Sequence, residues 1–107
     1  MPTNEQLYDE ADKLKAEGKF DDAIAKLEAV LSQDSGYTLA HRALAVLYGK
    51  VSKHDDAIRH ALAACQQEPN DPFSYTALSV TYVRAGKIQE AEDAKARAQM
   101  MAGGHRH

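Results

Sequence analysis

Ala23, Ala57 and Ala91 stand 34 residues apart in this chain, and an interval of that length, kept through a whole sequence, leaves few folds open. The register carries more than alanine. Three blocks, residues 4–37, 38–71 and 72–105, superpose Gly18 with Ser52 and Gly86, Leu14 with Tyr48 and Tyr82, and Ala11 with Ala45 and Ser79. In each block an amphipathic stretch of about fourteen residues is followed by a break at Gly or Ser and then by a second such stretch, the pattern of an antiparallel helical hairpin. A side chain as small as Ala or Ser at a helix crossing lets the two axes approach to about 8–10 Å. Ala11 is therefore expected against Ala23, Ala45 against Ala57, and Ser79 against Ala91.

Local signals place six helices. Thr3 and Gln6 have the spacing of a capping box, so the first helix is expected from about Asn4 to Glu17, ending at Gly18. The second starts near Asp21, where Asp21 and Asp22 favour the positive end of the helix dipole, and ends near Gln33. Ser35 and Gly36 turn the chain into a third helix, about Thr38 to Val51. Asp55 and Asp56 open a fourth that runs to about Gln67 and is terminated by Pro69 and Asn70. Asp71 followed by Pro72 is an N-cap and first-turn pair, and starts a fifth helix that runs to about Arg84. Gly86 separates it from a sixth, Ile88 to Met101, with residues 102–107 expected as a disordered tail. The fold class read from these signals is all-α, six antiparallel helices.

The third block carries Tyr75, Leu78, Ser79 and Tyr82, the second His41, Leu44, Ala45 and Tyr48, and the first Leu7, Glu10, Ala11 and Leu14. Together with Ala57, Ala64 and the helix-ending Pro69 of the second block, this set resembles the tetratricopeptide repeat (TPR) family, and the resemblance covers nearly the whole chain. Block one departs from the pattern by carrying Ser35 where the family has Pro, and block three has Glu90, Ala91 and Ala98 but no Pro. The resemblance implies an α-solenoid of three TPR hairpins in a right-handed superhelix, a single domain over residues 1–107. It also implies a concave groove, lined by the first helix of each hairpin, that takes an extended peptide or a partner helix.

Carried over position by position, that groove comprises Glu5, Tyr8, Asp9 and Asp12 in block one, Leu39, Arg42, Ala43, Val46 and Lys50 in block two, and Phe73, Thr76, Ala77, Val80 and Arg84 in block three. The family's best-known ligand is the carboxylate terminus of chaperones, clamped by Lys, Asn and Arg side chains. The corresponding positions here hold Tyr8, Asp12, Ala43, Phe73 and Ala77, none of which matches, and Asp12 repels a carboxylate; no chaperone-tail ligand is expected. Arg42 beside Val46, Phe73 and Val80 implies instead a ligand with an acidic residue next to an apolar anchor. The competing reading is that Tyr8 and Phe73 pack into neighbouring helices and the charges form a solvated face.

Composition narrows the remaining classes. At 107 residues with 27% charged side chains, the chain is one domain's worth and has no apolar run approaching the roughly 18 residues of a membrane span. Its N-terminus lacks the basic and apolar regions of a signal peptide, so a cytoplasmic location and no membrane partner are expected. The net charge of −3 is uneven, −5 over residues 1–37, neutral over 38–71 and +2 over 72–107. No concentrated basic face points to nucleic acid, while the gradient permits weak head-to-tail association of copies.

Catalytic chemistry finds no support. Cys65 reads as a buried structural thiol. His41 reads as a core histidine, and His54 and His60 as solvent-facing. His105 and His107 offer only two ligands on a tail, too few for a metal site. No nucleophile-histidine set and no glycine-rich phosphate loop is present, so the chain is read as a non-enzyme without cofactor or metal. Finally, Ile24, Leu27 and Leu31 of block one and Ile58, Ala61 and Cys65 of block two give way to Glu92, Lys95 and Gln99 in block three. A terminal repeat needs such a polar outer face, so the array is expected to end there. Two functions follow: an adaptor that binds a partner peptide or helix in the groove, or a scaffold that self-associates by stacking its repeat ends.

Overall fold

The computed structural model describes residues 2–103. Six helices follow one another: α1 (Asn4–Ala16), α2 (Phe20–Gln33), α3 (Thr38–Lys50), α4 (His54–Gln67), α5 (Pro72–Arg84) and α6 (Ile88–Gly103). They pair as hairpins α1/α2, α3/α4 and α5/α6, with α2 packing on α3, α4 on α5, and α3 directly against α5. The result is elongated, 47 × 29 × 21 Å, as expected when each hairpin touches only its neighbours.

Each hairpin turn is built the same way. Gly18, Ser52 and Gly86 all take positive φ, at 79°, 64° and 78°. Each donates its N–H back to Lys15, Gly49 or Val83, and the lysine that follows (Lys19, Lys53, Lys87) donates to Leu14, Tyr48 or Tyr82 at 2.8 Å in every case. This is the Schellman arrangement, which satisfies the last carbonyls of the first helix. The carbonyl of the same lysine accepts the N–H of Ala23, Ala57 or Ala91 at 3.0 Å, so one residue closes one helix and opens the next. The lysine periodicity is present in the sequence beside the glycines, although the sequence reading did not use it.

The helix starts follow their caps. Thr3 and Gln6 form the expected capping box, and the Asp71 side chain accepts from Phe73 N–H at 2.9 Å ahead of Pro72. Helices α1 and α3 each stop one residue short of the expected end, and α2 and α4 each start one residue early. Helix α6 continues past Met101 through Ala102 and Gly103, which corrects the expected tail at its first two residues; His105 and His107 lie outside the described residues.

The repeating small residues lie at the crossings. Ala11, Ala23, Ala57 and Ala91 are all at most 3% exposed, and the Ser79 hydroxyl donates to the Ala91 carbonyl across the third hairpin at 2.8 Å. Ala45 differs from expectation in its company: it joins Ala61, Cys65, Leu78 and Ala94 in a second cluster, whereas Ala57 belongs to the larger first cluster with Leu27, Leu44, Leu47 and Tyr48. Cys65 is buried and its Sγ lies 3.4 Å from the Ser74 carbonyl, as a structural thiol should. Glu92, Lys95 and Gln99 are exposed.

A β-carbon on Gly18 or Gly86 would meet nothing within 4 Å, so the cost of Gly86→Ala comes from φ alone, about 1 kcal/mol. The converse change, Ser52→Gly, removes the one left-handed non-glycine residue among the described residues and should raise the thermal midpoint by roughly 4 °C; a lower midpoint would refute the equivalence of the three turns. Ala57→Leu should overpack its crossing at a cost of about 1–3 kcal/mol in chemical denaturation.

Candidate functional site

Helices α1, α3 and α5 carry the fourteen groove positions, and none of the fourteen is buried. On α3 and α5, which pack directly together, Leu39, Val46, Phe73 and Val80 are 51%, 40%, 75% and 47% exposed. Four large apolar side chains are thus left in water along two adjacent helices. Phe73 is therefore not packed into a neighbour. Tyr8 is: it is half-buried, its ring 6.2 Å from that of Tyr37. Ala43 and Ala77 are half-buried, Ala43 packed against the first core cluster, and Thr76 turns its hydroxyl to the Pro72 carbonyl of its own helix.

The charged positions are less available than the sequence implied. Arg42 does not present an unengaged guanidinium to a ligand. Its Nη2 bonds Asp71 Oδ2 and lies 3.0 Å from Ser74 Oγ, fastening α3 to the start of α5. Asp71 thereby serves two helices, and the Arg42 guanidinium and the Phe73 N–H together hold its carboxyl below the usual carboxylate range. The expected acidic residue in the ligand thus loses its main support, because Arg42 already has a carboxylate. Lys50 lies over the Phe20 ring at 5.6 Å, and the Arg84 stem lies against Gly49. At the other end of the groove, Glu5 and Asp9 are exposed, and Asp12 stands 4.0 Å from Lys15.

On the side where α2 and α4 lie, the sequence reading missed a polar cluster. His60, expected to face solvent, is 2% exposed. Its ring stacks on Tyr48 with centroids 5.5 Å apart and planes within 12°, and its Nδ1 meets His41 Nδ1 at 2.9 Å. His41 Nε2 lies 3.1 Å from the Ser35 carbonyl. A carbonyl only accepts, so His41 donates through Nε2, and its Nδ1 must then accept from His60. Tyr48 donates to Glu28 Oε2 at 2.6 Å, and Glu28 Oε1 is 3.9 Å from His60 Nε2. Position 60 is Lys26 in block one and Ala94 in block three, so the repeat register carried no signal that it would be buried.

Burial pushes the His60 imidazole down to about 4, with Arg59 and His41 acting in the same direction and Glu28 and Asp56 opposing. The cluster packs between α2, α3 and α4, with His60 and Tyr48 buried. None of the described helices is long and apolar enough to cross a membrane.

The crystal structure of MamA superposes with a TM-score of 0.87 at 20% identity over 95% of this chain. A second MamA crystal structure gives 0.87 at 18% over 98%. The type III secretion translocator chaperone SycD of Yersinia enterocolitica, in its alternative dimer, gives 0.85 at 21% over 96% of this chain and 78% of its own. The chain spans about 60% of the length of the MamA structures it matches. At such identities the likeness establishes the fold, an all-helical array of TPR-like hairpins. No family model and no curated protein matches the sequence.

The His60 geometry fixes a pH dependence. Its folded pKa lies below the ordinary 6.5, so the unfolded chain binds the proton more readily and protonation favours unfolding. The stabilisation is complete above pH about 6.5 and is lost as pH falls towards about 4, by on the order of 3 kcal/mol at most. Thermal midpoints should fall between pH about 6.5 and 5, where most carboxylates are still ionised, and His60→Phe should flatten that slope. An unchanged slope in the variant would contradict the assignment.

Proposed function

We propose that the chain is a three-repeat tetratricopeptide-type interaction module that binds a partner peptide or helix along the face of α1, α3 and α5. The observation that carries this reading is the exposed strip of Leu39, Val46, Phe73 and Val80 beside the acidic side chains of α1. An amphipathic or extended segment places apolar anchors at regular intervals on such a strip. Because Arg42 is held by Asp71 and Ser74, the charges this face offers are Glu5, Asp9 and Asp12 on α1 and Lys50 and Arg84 at the ends of α3 and α5. The ligand it suits has apolar anchors over α3 and α5 and basic residues towards α1. SycD, described as a translocator chaperone, supports protein binding as the role of this architecture.

A second reading has its own observation. The charge gradient from −5 in residues 1–37 to +2 in residues 72–107 suits stacking of one copy's first hairpin on another's third, and the SycD structure is itself described as a dimer. Sedimentation separates the two, since end-to-end stacking dissociates as salt shortens the Debye length from about 10 Å at 0.1 M to 3 Å at 1 M.

A peptide selected from a random display library on the immobilised protein tests the groove. Phe73→Ala should weaken its binding by about 1–2 kcal/mol or more, and Val80→Asp should do likewise, both with unchanged helicity because both side chains are exposed. Arg42→Ala should instead lower the thermal midpoint, since it releases Asp71. Parental affinity in both groove variants would move the contact surface elsewhere.

A further inference from the structure

Tyr75, Leu78 and Tyr82 each lie two residues beyond a groove position on α5 (Phe73, Thr76, Val80), and two residues of an α-helix turn through about 200°. They therefore face away from the concave groove. There, with Ala94, Met100 and Met101 of α6, they line an open cleft of about 740 Å³, which is distinct from the surface proposed above.

The second hairpin shows what this space takes. Tyr82 stands 34 residues after Tyr48, Tyr75 after His41, and Ala94 after His60. In the second hairpin the His60 ring fills the position, stacked on Tyr48 and bonded to His41. In the third, alanine replaces the ring, and the two tyrosines remain as walls of a cleft that nothing in the described chain fills. The fit is for a planar side chain laid on Tyr82.

The rim selects by charge. Glu90 and Asp93, one turn apart on α6, both line the cleft, and neither is in an ion pair among the described residues. Arg97 lies over the Tyr75 ring at 4.9 Å, so it covers one wall as a flat cation, and Asp93, which accepts from Gln89 Nε2 at 3.2 Å, keeps its charge without a cationic partner among the described residues. Met100, 75% exposed at the far end, supplies a flexible thioether that adapts to an aromatic edge. From Glu90 to Met101 the wall runs about 16 Å along the helix axis, the length of roughly five extended residues.

We propose that this cleft is a second binding site, taking a short peptide segment of a partner protein with an aromatic side chain flanked by lysine or arginine. The ring occupies the place that His60 fills in the second hairpin, and the flanking cations meet Glu90 and Asp93.

The test uses the whole chain, isotopically labelled, and three synthetic peptides: Phe flanked by Lys in a Gly/Ser background, the same peptide with Ala for Phe, and the same with Glu for Lys. The Phe/Lys peptide should shift the backbone amides of Leu78, Tyr82, Ala94 and Met100, and each of the other two should bind at least about tenfold more weakly. Ala94→His, which copies the second hairpin, should reduce binding at least about tenfold. Glu90→Lys with Asp93→Lys, at exposed positions, should leave helicity unchanged and reverse the preference towards the Glu-flanked peptide. Phe73→Ala should leave cleft binding intact, which separates this site from the concave groove. The proposal is overturned by any of three results: no binding of the Phe/Lys peptide at millimolar concentration, shifts confined to α3 and the Phe73 face of α5, or an unaltered preference in the double lysine variant.

Discussion

Close approach of two helix backbones at a small residue is the constraint on which the whole array rests. Ala23, Ala57 and Ala91 are essentially without exposed surface, and in the third hairpin the approach is close enough for the Ser79 hydroxyl to reach a backbone carbonyl of α6. The turn and the crossing depend on each other. A left-handed residue and a lysine end the first helix, and the lysine carbonyl begins the hydrogen-bond ladder of the second four residues before its end is needed, at the alanine itself. The crossing point is thereby a fixed number of residues from the turn in all three hairpins, and the face each hairpin offers to its neighbour is fixed with it.

Between hairpins the chemistry is not repeated, and this is where the individuality of the protein lies. The junction of the first two hairpins combines leucines and Val30 with a hydrogen-bonded row from Ser35 through His41 and His60, beside the Tyr48–Glu28 bond. The tautomers chain so that the two Nδ1 atoms share one proton, while His60 Nε2 is left buried without a hydrogen-bond partner, a cost the row carries. The next junction uses Ala61, Cys65, Leu78 and Ala94. Smaller side chains at corresponding places bring in less volume, and the cleft over Tyr75 and Tyr82 is the direct consequence.

Local features were the legible ones. The Thr3–Gln6 box, the Asp71–Pro72 start, the left-handed positions at Gly18 and Gly86 and the small crossing residues each follow from residue type and spacing within one hairpin. Contacts between hairpins were not legible in that way. Arg42 and Asp71 are 29 residues apart and meet across α3 and α5, so a side chain that reads as a groove cation is already paired. His60 reads as a surface residue because its register mates are Lys26 and Ala94; only the packed Tyr48 and the reach of Glu28 from the preceding hairpin turn it inward. The exposure of Phe73 and Val80 was legible, because exposure on a helix face follows from the period, while their ionic surroundings depended on contacts that the period does not encode.

The unevenness of the core bears on where this molecule can recognise others. In an array whose units touch only their neighbours, stability is roughly a sum of hairpin and junction contributions. The first cluster holds Leu7, Leu27, Leu44 and Leu47 with Tyr48, each worth about 1.5–3 kcal/mol on burial, against a second cluster whose one leucine is Leu78. The junction of the second and third hairpins thus buries fewer large side chains and adds polar ties at the start of α5: Asp71 capping the helix and gripping Arg42, with Ser74 beside it. Apolar side chains left unburied by the fold are those a partner can bury. Helix α5 carries them on both sides, Phe73 and Val80 on one and Tyr75 and Tyr82 on the other. The small side chains of the second cluster leave the Tyr75 and Tyr82 face of α5 uncovered, so that a partner can bury it.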